Sequence, residues 1–353
     1  MPPISIKVPA RICFYGDHQD YLGLPVIAGS IDQYINLRAE PISASEFRLD
    51  LKDIDAHRTI PLTIDAHDIS QSDYLLAALA VLIQKGFRFA RGYRLNISGD
   101  IPVNAGLSSS SALTIAWIRF LVEAQSSEIT ATDIEIGQWA YETEVTFFKS
   151  PGGLMDQYTI AQQGLLYIDT QMGKTEPLTG HLGKLVVAES GIAKETLDVL
   201  KNARLFQENA AAEVKAAHPD FEMQKSTLAD YRRYLDLVSQ EYRDHWYAAI
   251  HNYENTKQAR RLLSSPESNL KELGQLMNEH QVILEECIQN TPPEMAKMMN
   301  AARNAGALGA KTIGSGGGGC MVAMVNDDSK STVIDAFLEN GAKAAYEVEL
   351  VYP

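Results

Sequence analysis

A chain of 353 residues, 45% hydrophobic and 22% charged, is long enough for more than one hydrophobic core and too apolar to stay disordered. Its formal net charge of −14 excludes a general nucleic-acid surface, which needs a basic stripe to neutralise phosphates. The segment MPPISIKVPARI lacks the basic and long apolar regions of a signal peptide, no apolar run nears the roughly 20 residues of a membrane span, and Cys13, Cys287 and Cys320 form no CxxC or Cys/His cluster. A cytoplasmic protein with reduced thiols, no zinc and no membrane or nucleic-acid partner is expected.

The first third is predicted to be mostly strand. ISIKVPARICFYG and PVIAGSIDQYINLRAE carry β-branched and aromatic residues broken by Pro and Gly, and FRLDLKD and RGYRLNISGDI alternate like half-buried strands. Helices follow: DYLLAALAVLIQKGF and SALTIAWIRFLVEAQ space apolar residues helically, and TATDIEIGQWAYETEVTF starts at a Thr cap. GLLYIDT and KLVVAES read as two further strands. Composition then shifts to a helical stretch from about Lys194 to Arg303, which places an expected boundary between domains 1–190 and 191–353. GAKTIGSGGGGCMVAMV reads as a glycine loop followed by a strand, STVIDAFLENGA as a helix, and AAYEVELVY as a last strand able to pack back across the boundary.

Four segments carry chemistry. In IPVNAGLSSSSA, residues 101–112, Gly106 lets the backbone approach an anion, and Ser108, Ser109, Ser110 and Ser111 offer hydroxyls where a helix starts with free N–H groups. The other reading of this segment is a serine-rich helix cap. The loop GSGGGGC, Gly314 to Cys320, has more glycines than a turn needs, so its backbone is expected to approach either a ligand or the serine loop, a flexible turn being the alternative. PARICFYGDHQDYLG sets Arg11, Asp17, His18 and Asp20 around glycines after a strand, where the carboxylates can accept sugar hydroxyl protons, or where they form an ordinary Asx-rich surface turn. In YETEVTFFKSPGGLMDQY, Glu144 can reach a hard cation such as magnesium, and Asp156, after the Pro151-Gly152-Gly153 turn, can accept a hydroxyl proton. Taken singly, Glu144 also reads as a solvated helix residue and Asp156 as a turn or cap.

Together and in this order the four segments resemble the family of galactokinase, homoserine kinase, mevalonate kinase and phosphomevalonate kinase, over nearly the whole chain. PARICFYGDHQDYLG, with SIDQYI behind it, and SPGGLMDQY look most like the galactokinase members. NAGLSSSSA resembles the family's ATP loop, and GAKTIGSGGGGC its C-terminal glycine motif. The resemblance implies an α+β fold of two domains with the active site in the cleft between them, and an ATP- and Mg²⁺-dependent kinase acting on the anomeric hydroxyl of galactose or a related monosaccharide. It implies ATP binding by Asn104, Ala105, Gly106, Leu107, Ser108, Ser109, Ser110, Gly316 and Gly317, and Mg²⁺ binding by Ser110 and Glu144. Asp156 and Arg11 take the catalytic roles, Asp156 on the acceptor hydroxyl and Arg11 on the transferring phosphoryl, while Asp17, His18, Asp20 and Gly153 contact the sugar. Three positions depart from the pattern: Ala10 stands for glycine, Asp17 for glutamate and Gln19 for threonine. The shorter Asp17 is expected to shift its sugar contact or make it through water. Same-fold alternatives are a kinase of a non-sugar alcohol such as mevalonate, or a sugar- and ATP-binding regulator without turnover.

Overall fold

The computed structural model describes residues 3–64, 69–150, 152–193 and 196–353. Lys194, expected to open the helical stretch, and Pro151, expected in the turn before Asp156, lie outside the described residues. The chain begins with strands β1 (Ile4–Tyr15), β2 (Val26–Ile42), β3 (Glu46–Leu51) and β4 (Ala56–Pro61), then helix α1 (Tyr74–Gln84) and strand β5 (Gly92–Gly99). Helices α2 (Ser109–Ala124), α3 (Asp133–Tyr141) and α4 (Met155–Gln162) precede strands β6 (Leu165–Asp169), β7 (Lys174–Pro177) and β8 (Lys184–Glu189). A helical layer follows: α5 (Thr196–Ala217), α6 (Leu228–Tyr234), α7 (Arg243–Leu263), α8 (Leu270–Glu286) and α9 (Pro293–Asn304). β9 (Gly309–Thr312), β10 (Cys320–Val325), α10 (Lys330–Glu339) and β11 (Ala344–Val348) complete the chain.

Two sheets result. The first runs β4-β3-β5-β2-β6-β7, with β1 paired to β2, and is antiparallel except where β3 lies beside β5. The β1–β2 register shifts between Pro9 and Ala10, where proline has no N–H to give the ladder. The second sheet runs β11-β8-β10-β9, all antiparallel. β8 lies on the N-terminal side of the expected boundary at 190 and is hydrogen-bonded to β10 and β11. The chain end does pack back: Val351 N donates to Ser30 O at 2.9 Å and Gly164 N to Val351 O at 2.8 Å.

The two-residue period of a strand lets β8 serve two cores at once. Leu185 and Val187 join the large cluster that runs from the first sheet through α2, whereas Val186 and Ala188 face Met295, Met299 and Phe337 of α9 and α10. Inside the large cluster Trp117 meets Phe47 edge-on at 5.3 Å and donates from Nε1 to Leu75 O at 2.9 Å, which seats α2 against the sheet.

Local sequence explains most element starts. Thr132 caps α3 in a reciprocal box with Glu135, and Asp73 accepts from Leu76 N at 3.1 Å to start α1. Several elements differ from expectation. β4 and β7, edge strands with many exposed residues, lack the apolar alternation that flags a strand. Met155–Gln162 folds as α4, its residues buried too evenly for an amphipathic stripe. The segment expected as one helix after Thr132 ends in a π-helical turn, Glu142–Thr146, directly after α3. Among the described residues no helix is long and apolar enough to cross a membrane.

Candidate active site

Arg11 sits within a strand whose inner positions are otherwise apolar, so its guanidinium needs a counter-charge close by. Asp156, in the first turn of α4, supplies it. Arg11 Nε donates to Asp156 Oδ1 at 2.7 Å and Nη2 to Oδ2 at 2.9 Å, a two-pronged pair, while Nη1 donates to Gly106 O at 2.7 Å. Burial pulls the Arg11 pKa down, but the charge and hydrogen bonds of Asp156 outweigh it and the net shift is upward. Ser108 Oγ also donates to Asp156 Oδ2. One cation thus ties β1, the serine loop and α4 together.

Ser108 occupies the cap position of α2 with φ at 57°, and its hydroxyl makes no cap bond because it is turned toward Asp156. The serine-cap reading therefore does not describe Ser108. Asn104 (φ 56°) and Gly106 (φ 94°) share its left-handed backbone, and left-handed residues at alternate positions turn successive N–H groups to one side, as in anion-binding nests. Ser109 and Ser110 open α2, where N–H groups lack intrahelical partners. Asn104, Ala105, Gly106, Ser108, Ser109 and Ser110 line a cleft of about 560 Å³. Leu107 does not; its side chain is wholly buried in the large core.

Glu144 is swung inward by the π-helical turn and is buried. Ser111 Oγ donates to its Oε2 at 2.7 Å and Gln157 Nε2 to the same oxygen at 2.5 Å. Among the described residues no hydrogen bond of normal geometry reaches Oε1, and the neighbouring Thr114 hydroxyl donates to Ser110 O at 3.1 Å. Burial raises the Glu144 pKa, only partly offset by these donors. Among the described residues no group of three or more His, Cys, Asp and Glu gathers as a metal site. A cation at Glu144 would therefore complete its shell with hydroxyl, phosphate or water oxygens.

Another part of the cleft is lined by Asp17, His18 and Asp20 of the DHQD turn and by Gly152 and Gly153 ahead of α4. A Cβ built on Gly153 would lie 1.8 Å from Asp20 Oδ2, so the carboxylate occupies the space a side chain would need. Burial, then the neighbouring Asp156 charge, pushes the Asp20 pKa up to about 6. Asp17 is buried and forms an ion pair with Lys311, Nζ 2.8 Å from Oδ2. His18 has a left-handed φ of 61° and its Nε2 lies 3.0 Å from Ser315 O and 3.1 Å from Asn290 Nδ2. Gln19 faces away from the cleft and donates to Pro25 O at 2.5 Å and Thr256 Oγ1 at 3.2 Å, so this departure from the pattern works in the packing.

The cleft accordingly gathers Arg11, Asp17, His18, Asp20, Glu144, Gly153 and Asp156 with the serine loop. Gly316 and Gly317 stand apart from it, and Gly314 and Ser315 line it instead. The reason is packing: Gly317 N donates to Asn290 O at 2.6 Å, and a Cβ on Gly316 would come 2.5 Å from that oxygen. A Cβ on Gly319 would come 2.6 Å from Ala105 O, to which Cys320 N donates at 2.7 Å. Of the two approaches expected for this loop, Gly319 makes the one to the serine loop, while Gly314 lines the cleft. Sequence reading missed Lys311, His280, Asn290 and Gln157 as neighbours of the site, and it gave Ser111 a place in the serine loop but not its bond to Glu144. The one available signal was Lys311, a lone cation in the otherwise uncharged run GAKTI.

Two family models match the chain, GHMP kinases N terminal domain at residues 73–164 and GHMP kinases C terminal at residues 259–343. A galactokinase of Clostridium perfringens is 28% identical over 95% of this chain and 88% of its own length. A mevalonate kinase of Thermococcus gammatolerans is 26% identical over 98% of this chain and 96% of its own. Among solved structures, Lactococcus lactis galactokinase complexed with galactose superposes with a TM-score of 0.87, at 21% identity, covering 99% of this chain and 93% of that one. Mevalonate kinase of L. major in complex with R-mevalonate gives 0.69 at 22% identity, covering 99% and 96%. At such identities the structural likeness speaks for the fold.

Proposed function

We propose that this chain, which belongs to the GHMP kinase family, is an ATP-dependent sugar kinase that phosphorylates the anomeric hydroxyl of galactose or a related monosaccharide. The observation that carries this reading is the Arg11 fork: one guanidinium holds the Asp156 carboxylate by both oxygens and the serine loop by Gly106 O. An acceptor beside Asp156 and a phosphate chain on the loop are thereby held in one register, which is how phosphoryl transfer gains most of its rate.

In this reading the backbone of Asn104 to Ser110 wraps the ATP phosphates, and Arg11 faces the transferring phosphoryl. Asp156 accepts the proton of the attacking hydroxyl as its oxygen bonds to the γ-phosphorus and ADP leaves with the bridging oxygen. Asp20 and Asp17 accept further sugar hydroxyls, with His18 and the Gly153 backbone framing the pocket. Ser110 and Glu144 are the residues that would hold Mg²⁺; the buried Glu144 Oε1, which no hydrogen bond of normal geometry reaches from the described residues, suits a hard cation that neutralises phosphate charge.

A second reading, an acceptor sugar that bears a carboxylate, has one observation behind it. Lys149 and Arg204 line a cavity of about 610 Å³ that shares Lys149, Ser150 and Gly152 with the main cleft. ADP release with ATP, Mg²⁺ and a panel of monosaccharides, a uronic acid, mevalonate and homoserine tests both. Turnover of neutral sugars is expected; turnover of mevalonate or homoserine alone overturns the sugar reading, and sugar binding without ADP release makes the protein a regulator.

A further inference from the structure

A fully buried lysine is a rarity that needs explaining, since removing an ammonium from water costs several kcal/mol unless it is well paired. Lys311, on β9, is wholly inaccessible. Its Nζ donates to Cys13 O at 3.1 Å and to Thr312 O at 2.5 Å, and lies 2.8 Å from Asp17 Oδ2. Asp17, whose side chain is 2% exposed, lines the cleft and takes this lysine as its ion-pair partner. The ammonium thus directs two of its donors to backbone carbonyls and the third to Asp17 Oδ2, and a carboxylate held from one oxygen keeps lone pairs for a hydroxyl in the cleft.

We propose that Lys311 is a positioning residue for the acceptor: from the second sheet it keeps Asp17 ionised and fixed in the cleft so that the carboxylate can receive an acceptor hydroxyl. This rests on the sugar-kinase reading of the cleft. The other groups facing Asp17 cannot replace Lys311. His280 on α8 lies 3.9 Å away, and burial, with Lys311 beside it, lowers its pKa to about 3, leaving it neutral. His18 is on the same turn and Arg11 is held by Asp156, while Cys13 and Asp20 bring no positive charge. Against burial, which raises it, the Asp17 pKa stays below the usual carboxylate range chiefly through Lys311.

The test is a cycle of Lys311→Met, Asp17→Asn and the double variant, read as KM for the acceptor sugar and KM for ATP from pH 5.5 to 9. Lys311→Met leaves Asp17 buried without its cation, so its pKa rises. The acceptor KM should then increase about tenfold or more near neutrality and recover as pH is raised, relative to the profile of the unaltered protein, with KM for ATP within about twofold. Asp17→Asn should raise the acceptor KM similarly without the new pH dependence, and the double variant should be no worse than Asp17→Asn. A double variant about tenfold worse than Asp17→Asn overturns the proposal, and that comparison stands even if Lys311→Met alone fails to fold. A Lys311→Met protein with unchanged acceptor KM at every pH also overturns it, leaving the lysine a packing element. Failure of the unaltered protein to phosphorylate any monosaccharide overturns the sugar reading and this inference together, whereas sugar turnover with either adverse result above overturns this inference alone.

Discussion

Asp156 holds the cleft together through one side chain, because Arg11 and Ser108 both converge on it. Asp156→Asn keeps the shape but removes the charge. It should leave nucleotide binding within a few-fold while kcat falls by about 10²–10⁴, the usual worth of a positioned proton acceptor; unchanged turnover removes Asp156 from that role. Asp20 offers a prediction with a pH sign. Its pKa near 6 lies above the ordinary carboxylate value, so the folded protein binds this proton more tightly than the unfolded chain. Stability contributed by Asp20 is therefore present at low pH and lost as pH rises through about 6. Asp20→Asn should raise Tm at pH 8 more than at pH 5 while raising the acceptor KM, the exchange of stability for function common at binding sites. An equal Tm shift at both pH values contradicts the assignment. At this scale the sequence already pointed to Arg11, Asp20, Glu144 and Asp156, because each falls in a short recognisable segment. It could not show that Ser108, whose neighbours suggested a cap, would turn to Asp156, since that depends on a left-handed φ set by the surrounding loop.

Between elements, glycines decide how closely backbones approach. Gly153 lies beside Asp20, and Gly319, at φ 87°, lies against Ala105 O. The two should separate cleanly in kinetics. Gly153→Ala displaces Asp20 or α4 and is expected to raise the acceptor KM about tenfold, whereas Gly319→Ala pushes on the serine loop, raises KM for ATP and costs about 1–3 kcal/mol of stability from strain. If both variants raise the same KM, the division of the cleft between loop and turn is wrong. The predicted strands β1, β2, β3, β5, β6, β8 and β10 and the helices α1, α2 and α3 follow from periodicity, since their burial is one-sided or continuous. The π-helical turn and α4 escaped that reading. α4 is buried on nearly every side, and an evenly buried helix has no period for sequence to reveal, while the π-helical turn differs from the expected helix only in its backbone spacing.

Across the whole molecule one hydrophobic cluster runs from the first sheet through α2 into β8, β10 and α8. Tyr15 adds a polar tie, its hydroxyl donating to Leu273 O at 2.7 Å in the interior. A shared core predicts shared unfolding. Urea denaturation followed by tryptophan fluorescence and by far-UV circular dichroism should give coincident transitions, and Tyr15→Phe, which removes this tie, should lower stability by about 0.5–1.5 kcal/mol. Two resolved transitions contradict the continuity of the core. The sequence by itself determined the α+β character, the family and the four segments that meet at the cleft, because each is written in contiguous residues whose spacing or composition is locally constrained. Only the tertiary structure decided that Gly316 and Gly317 serve loop packing, that Ser111 and Gln157 bind Glu144, and that Lys311 from the second sheet pairs with Asp17 in the turn after β1. Those pairings join residues far apart in the chain, and they follow from the burial of charges and the closure of backbones, which no local pattern encodes.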